Sequence, residues 1–289
     1  MPIDGVGVTA VAVAAARALE STRADPLVED PWALHLVRAS QTPVPFPETW
    51  PADAAVSPID ESMLLGATYI ALRTRFIDDE LRRAALPQVV ILGSGLDTRS
   101  WRLDWLDGTA VFELDSPQVV AFVDTTMAAA GATARCRRVP IGVDVTGPWA
   151  ARAVAAGFRP DRPTHWVLEG LLPYLASHDQ RALLQDVIDL SAPGSRAVIE
   201  RAPQLMDTPE TRERLRTFAL TTGIPMDELL ARTDPPDPAA VLAEAGWDVT
   251  PVPVSNLEAR YARPLQIGRD AAAVPPPQRG GFVTARRPG

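Results

Sequence analysis

No lysine occurs among the 289 residues, so every fixed side-chain cation is an arginine. Together with abundant alanine and proline, this reads as compositional bias, not as a functional signal. The single cysteine, Cys136, excludes an internal disulfide framework and fits a reducing compartment. The histidines, His35, His165 and His178, are scattered, and with one cysteine they give no zinc-ligand spacing, so no metal site is expected. Positive charge is in deficit, with a net charge of −8, which argues against nucleic acid or an anionic membrane as partner. Long apolar runs are missing too. Val8 to Leu19 is broken by Thr9 and Arg17, and is short for a bilayer span of about 20 residues. It has no basic flank of the signal-peptide kind. A cytoplasmic protein is expected.

What is present is the balance of an ordinary globular chain, with 46% apolar and 22% charged residues. The first 85 residues read as a helical cap, with helices over Thr9–Leu19, Asp30–Ala39 and Ser57–Ala85 and a proline-marked loop through Pro43, Pro45, Pro47 and Pro51. From residue 86 to 289 strands and helices alternate, which predicts an α/β fold with a mainly parallel sheet. Strands are expected at Val89–Leu92, Ala110–Leu114, Arg138–Val143, Thr164–Glu169, Ser195–Glu200, Trp247–Val252 and Gly281–Arg286. Helices fall at Ser116–Ala130, Trp149–Ala156, His178–Ser191 and Pro238–Ala245, with Ser177 and Gln180 in capping-box spacing. Residues 202–234 interrupt the alternation and read as a lid inserted into one domain spanning 1–289. Arg260 to Gln278 reads as irregular.

Gln88 to Asp115 is the most informative stretch. An apolar run meets a Gly-Ser-Gly turn at Gly93 to Gly95, and a second apolar run ends on Asp115. Glycine permits a sharp turn and close approach to a ligand, and an acid at the next strand tip suits the two hydroxyls of a ribose. The interval of 20 residues from Gly95 to Asp115 is the one expected for an adenosine-containing cofactor. The third glycine of the dinucleotide fingerprint is replaced by Thr98, beside Asp97. A carboxylate there disfavours two phosphates, whereas S-adenosyl-L-methionine carries no phosphate and a positive sulfonium. Asp115, Asp144 and Glu169 each close a predicted strand, on the rim where open α/β sheets bind ligands. Asp144 and the Val145 amide are placed to meet adenine, and Gly170 lets the chain turn into the pocket after Glu169.

RTRF (Arg73 to Phe76), VVILGSGLDTRSWRL (Val89 to Leu103), FELD (Phe112 to Asp115), Val143-Asp144 and EGLLPYL (Glu169 to Leu175) resemble the leucine carboxyl methyltransferase family. This is a branch of the class I S-adenosyl-L-methionine-dependent methyltransferases, and the likeness extends over nearly the whole chain. It implies a Rossmann-like seven-stranded sheet with an antiparallel last strand and an N-terminal helical cap. It implies that Arg73 binds the cofactor's methionine carboxylate, that Gly93 and Gly95 pass its methionyl part, and that Asp115 holds the ribose. Asp144 and Val145 would hold adenine, Glu169 would line the methionine end, and Tyr174 would face the acceptor. Asp97 and Arg99 look structural, as an ion pair orienting the turn.

The acceptor is less legible. A carboxylate of a small molecule or peptide terminus is ionised at neutral pH and needs no general base. A hydroxyl of a polyketide or other natural product would need one. His178 is then the candidate, since His165 lies inside a strand and reads as core. Trp50, Trp149, Phe218 and Met226 are candidates for an apolar pocket lining. A nicotinamide-dependent oxidoreductase and a non-catalytic binding protein are the rival readings.

Overall fold

The computed structural model describes residues 6–41, 47, 49–51, 58–201, 235–265 and 280–289. The expected lid (202–234), with Phe218 and Met226, and most of the irregular segment after Arg260 lie outside the described residues.

Seven strands form one sheet in the order β3-β2-β1-β4-β5-β7-β6. They are β1 (Gln88–Leu92), β2 (Ala110–Asp115), β3 (Arg137–Gly142), β4 (Thr164–Leu168), β5 (Arg196–Arg201), β6 (Asp248–Pro253) and β7 (Gly281–Arg286). β1 to β5 pair in parallel, and β7 runs antiparallel between β5 and β6. All seven expected strands are present, with ends shifted by at most one residue. The order of β1, β2 and β4 reverses at β1, so a crevice opens between β1 and β4 at their carboxyl ends.

Successive strand residues point to opposite faces, and both faces are covered. On one, Val90, Leu92, Phe112, Trp166 and Ile199 pack with Leu184, Val187 and Leu242. These come from α7 (Ser177–Asp189) and α8 (Pro238–Glu244), with Trp149 added from α6 (Trp149–Ala155). On the other, Val89, Ile91, Val111, Val167 and Val198 pack with Leu72, Phe76, Ile77 and Leu81 of α3 (Pro58–Ala84). Burial on both sides explains the apolar runs Val89–Leu92 in β1 and Trp166–Leu168 in β4. Trp149 is 1% exposed and meets Trp166 edge-on, so it is core rather than pocket lining. Trp50 stacks under the Arg23 guanidinium and packs beside Leu19 and Leu64.

The first helices are α1 (Val6–Glu20) and α2 (Ala33–Ser40). Val11 and Ala14 of α1 pack with Leu36 of α2, Leu96, Trp101 and α5 (Pro117–Ala129), so the cap rests on the glycine turn. Two short helices escaped the pattern reading, α4 (Arg99–Arg102) and α9 (Val254–Arg260). The capping box at Ser177 is a correction. Ala176 is the N-cap, and Gln180 Nε2 donates instead to the Leu172 and Leu175 carbonyls, holding the preceding loop. No helix among the described residues is long and apolar enough to cross a membrane.

Candidate active site

After β1 the chain turns through Gly93 (φ 68°) and Gly95 (φ 50°), both in the left-handed region. A Cβ on Gly93 would lie 2.9 Å from Leu171 Cδ1 across the crevice, a contact that the leucine side chain can yield to, so it is the left-handed backbone that calls for glycine there. The turn is tied to the tip of β2 by Asp115. Its Oδ2 accepts from the Gly95 amide at 2.7 Å and its Oδ1 from the Ser116 amide at 2.7 Å. Burial raises the Asp115 pKa, and these amide bonds oppose the rise. Gly93, Gly95 and Asp115 are thus brought together as the spacing predicted.

Asp144 lies two residues beyond β3, is exposed, and accepts from the Thr146 amide (2.9 Å) and hydroxyl (2.8 Å). This turn orients the half-buried Val145. Nothing links Asp144 directly to the glycine turn among the described residues. It shares the rim without sharing the network.

The other side of the crevice is a buried lattice of charge. Glu169 follows β4, and Gly170 (φ 61°) turns the chain after it. Glu169 Oε1 accepts from Arg73 Nε and Oε2 from Arg99 Nη1, each at 2.7 Å. Desolvation would raise its pKa, but Arg99 and Arg73 outweigh that and hold it near about 2. Arg73 Nη1 donates to Glu200 Oε2 at 2.9 Å, and Arg73 stays charged because Glu200 and Glu169 overcome its burial. Arg73 Nη2 makes no hydrogen bond among the described residues.

Asp97 and Arg99 form the expected pair, with Nη1 to Oδ2 at 2.5 Å. This also corrects the phosphate argument. The Asp97 carboxylate is turned onto Arg99 and is 7% exposed, so its charge is not presented bare to a ligand. Arg99 Nε further donates to Asp78 at 2.7 Å, Arg102 bonds the same carboxylate, and Arg102 approaches Asp30 at 3.9 Å. Asp30 in turn binds Arg17 Nε at 2.8 Å and the Thr98 hydroxyl at 2.6 Å, while Arg17 Nη2 donates to the Leu96 carbonyl. Through this chain α1 and α3 grip the glycine turn.

Tyr174 ends a 3-10 turn (Leu172–Tyr174), and its hydroxyl is hydrogen-bonded to Thr9 of α1. Burial raises its pKa, so it remains a neutral hydroxyl at physiological pH. His165 sits in β4 at 2% exposure, where burial and then the Arg196 charge push its pKa down to about 3. His178 is at the solvent surface of α7, 3.3 Å from Asp179, with 83% of its side chain exposed. Neither is positioned in the crevice lattice. No group of three His, Cys, Asp or Glu side chains suited to a metal ion occurs among the described residues.

Two residues escaped the sequence reading, Tyr69 and Glu200. Tyr69 donates its hydroxyl to Glu200 Oε1, and the Gly170 amide donates to Oε2 at 2.7 Å. A signal existed for each. Glu200 closes an apolar run just as Glu169 does, and Tyr69 stands four residues before Arg73, on the same helix face. S-adenosyl-L-methionine offers a ribose diol, an ammonium, a carboxylate and a sulfonium. A tip carboxylate, paired acids and a buried arginine match those groups in kind.

The family model described as "Leucine carboxyl methyltransferase" matches residues 10–188. A protein of Saccharopolyspora erythraea is 44% identical over 267 residues, covering 91% of this chain and 90% of that protein. One of Mycolicibacterium smegmatis is 41% identical over 279 residues, covering 90% and 87% respectively. Both bear the name "Putative S-adenosyl-L-methionine-dependent methyltransferase". Among solved structures, a DUF574 family protein from Streptomyces avermitilis superposes with a TM-score of 0.51 at 13% identity, over 79% of this chain and 86% of that one. That likeness is one of fold.

Proposed function

The chain belongs to the leucine carboxyl methyltransferase family, and on that premise we propose that it methylates a carboxylate oxygen of a small organic acid or a peptide terminus. Its family and its relatives make it an S-adenosyl-L-methionine-dependent methyltransferase. The bound cofactor supplies an electrophilic methyl group on a sulfonium whose departing thioether is a good leaving group. A carboxylate acceptor would take that methyl group through an oxygen already ionised at neutral pH, with no proton to release and no base required of the chain.

The chain's own contribution is alignment and exclusion of water. Asp115 would accept from the ribose hydroxyls, and Asp144 with the Val145 amide would meet adenine. Gly93 and Gly95 would let the backbone approach the methionyl part, with Glu169 beside its ammonium. Arg73 would meet the methionine carboxylate. With Nε and Nη1 already engaged, Nη2 is the nitrogen left to do so, a narrower contact than a full guanidinium fork. Tyr174 would face the acceptor as a neutral donor.

The observation that carries the carboxylate reading is the make-up of the crevice. Its ionisable side chains are arginine, carboxylate and tyrosine, while His165 is core and His178 is at the surface. Among the described residues no histidine base stands in the crevice for a hydroxyl acceptor. The lone Cys136 and the net charge of −8 support a cytoplasmic setting and an acceptor that is neither nucleic acid nor membrane. We take the chain as one domain, with 1–85 as cap and 202–234 as lid.

The product tests the reading. A methyl ester is cleaved by mild alkali, whereas a methyl ether survives it and would overturn the carboxylate assignment. The rate should be flat from about pH 6 to 8, since carboxyl groups titrate near 3.5–4.3. His178→Ala should leave it unchanged, and a large loss would instead favour a hydroxyl acceptor.

A further inference from the structure

The ion-pair lattice beside the crevice is not neutral. Its guanidinium groups are four, those of Arg17, Arg73, Arg99 and Arg102. The carboxylates that these arginines join are five, those of Asp30, Asp78, Asp97, Glu169 and Glu200. The members are buried, with side-chain exposures of 11% or less, so solvent screens them poorly. Among the described residues the lattice therefore carries one carboxylate more than it has cations. At the crevice end, among the described residues, Arg73 is the one lattice cation bonded to Glu200, while Glu169 is shared between Arg73 and Arg99.

We propose that Glu200 is a specificity-determining residue, whose charge makes the methionine end of the site prefer a ligand of net charge +1 over a neutral one. The inference rests on the cofactor reading above. S-adenosyl-L-methionine has an ammonium, a carboxylate and a sulfonium, and its net charge is +1. S-adenosylhomocysteine, the thioether left after methyl transfer, lacks the sulfonium and is neutral. Loss of the methyl group thus removes the charge that balances the lattice, and the site favours exchange of product for fresh donor. Glu200 is singled out because three donors fix its orientation: the Tyr69 hydroxyl, the Gly170 amide and Arg73 Nη1. It comes from β5, whereas Glu169 comes from the end of β4, so the two acids flank Arg73 from neighbouring strands.

Calorimetric binding to the full chain tests this with three probes: S-adenosyl-L-methionine, S-adenosylhomocysteine and sinefungin. Sinefungin carries an amine in place of the sulfonium and shares the +1 charge. Wild type should bind both cationic ligands at least as tightly as the neutral one. Removing one poorly screened charge in Glu200→Gln should weaken the two cationic ligands about tenfold more than S-adenosylhomocysteine. Glu200→Asp and Tyr69→Phe keep the charge and should keep the wild-type ratio. A role confined to positioning Arg73 would weaken all three ligands alike in Glu200→Gln, and that result overturns the proposal. Should Glu200→Gln fail to fold, wild type decides: tenfold tighter binding of S-adenosylhomocysteine than of both cations also overturns it. Binding of none of the three would remove the cofactor reading itself, together with this inference.

Discussion

Asp115 and Asp144, at the end assigned to ribose and adenine, are held by backbone amides and one neighbouring hydroxyl. Glu169 and Glu200, at the end assigned to methionine, are held by arginines that are themselves shared with other acids. The first arrangement leaves single acids on a rim, each removable without stranding a partner charge. The second is a buried network, in which removing one member leaves opposite charges unpaired in low dielectric. The same kind of residue at a strand tip can therefore be mainly a ligand contact, or also a structural member. Substitutions should separate the two.

The largest effect should come from Arg73→Ala, which leaves Glu169 and Glu200 buried without this partner. Breaking a buried pair in this way costs about 3–5 kcal/mol, and cofactor binding should be lost with it. Arg73→Lys should retain only part of both, because an ammonium cannot span two carboxylates as a guanidinium does. Equal thermal stability of wild type, Arg73→Ala and Arg73→Lys would break the comparison.

Asp115→Asn comes next. An amide can accept from only one of the Gly95 and Ser116 amides, and a charged hydrogen-bond acceptor is lost. At about 1.5–3 kcal/mol per such bond, affinity for S-adenosyl-L-methionine should fall by one to a few decades. The fold should survive, since no buried cation is orphaned. Undiminished affinity would remove Asp115 from the ribose.

Acid and base should expose the contrast between two buried glutamates. Glu169 is held near about 2 against an ordinary 4.5, so its stabilisation is present above 4.5 and is lost as pH falls through 2. Glu113, on β2, is instead pushed up to about 7, because burial outweighs its partner Arg138. Its folded form holds a proton that the unfolded chain has released, so this contribution is lost as pH rises from 4.5 through 7. Urea midpoints between pH 5 and 8 should fall more for wild type than for Glu113→Gln; parallel profiles would contradict this assignment.

Asp144→Ala should have the smallest effect. The residue is exposed, so stability should stay within about 0.5 kcal/mol of wild type. One lost hydrogen bond to adenine predicts a fall in cofactor affinity of up to about tenfold, read by calorimetry. A loss as large as that of Arg73→Ala would mean that the two ends differ less than their bonding suggests.

Local pattern determined much of this protein. Short apolar runs marked the central strands β1, β2 and β4, since burial on both faces leaves little room for polar residues in them. Gly93, Gly95 and Asp115 were legible because a turn after one strand and an acid on the next have a spacing set by the strand–helix–strand unit. The Asp97–Arg99 pair was legible because it is local. What spacing could not determine is which distant side chains meet. Glu200 reaches Tyr69 across 131 residues, Arg73 reaches Glu169 across 96, and Arg17 reaches Leu96 across 79. Each join depends on strand order and on how α1 and α3 cross the sheet, and neither is written in any local period. Gln180 makes the same point, for Ala176 and not Ser177 caps the helix, and the Gln180 amide reaches the Leu172 and Leu175 carbonyls instead. The sequence determined the elements and the tip acids, because these obey local rules. Only the tertiary structure decided that four arginines would be shared among five acids, because a buried charge must find a partner wherever the fold brings one.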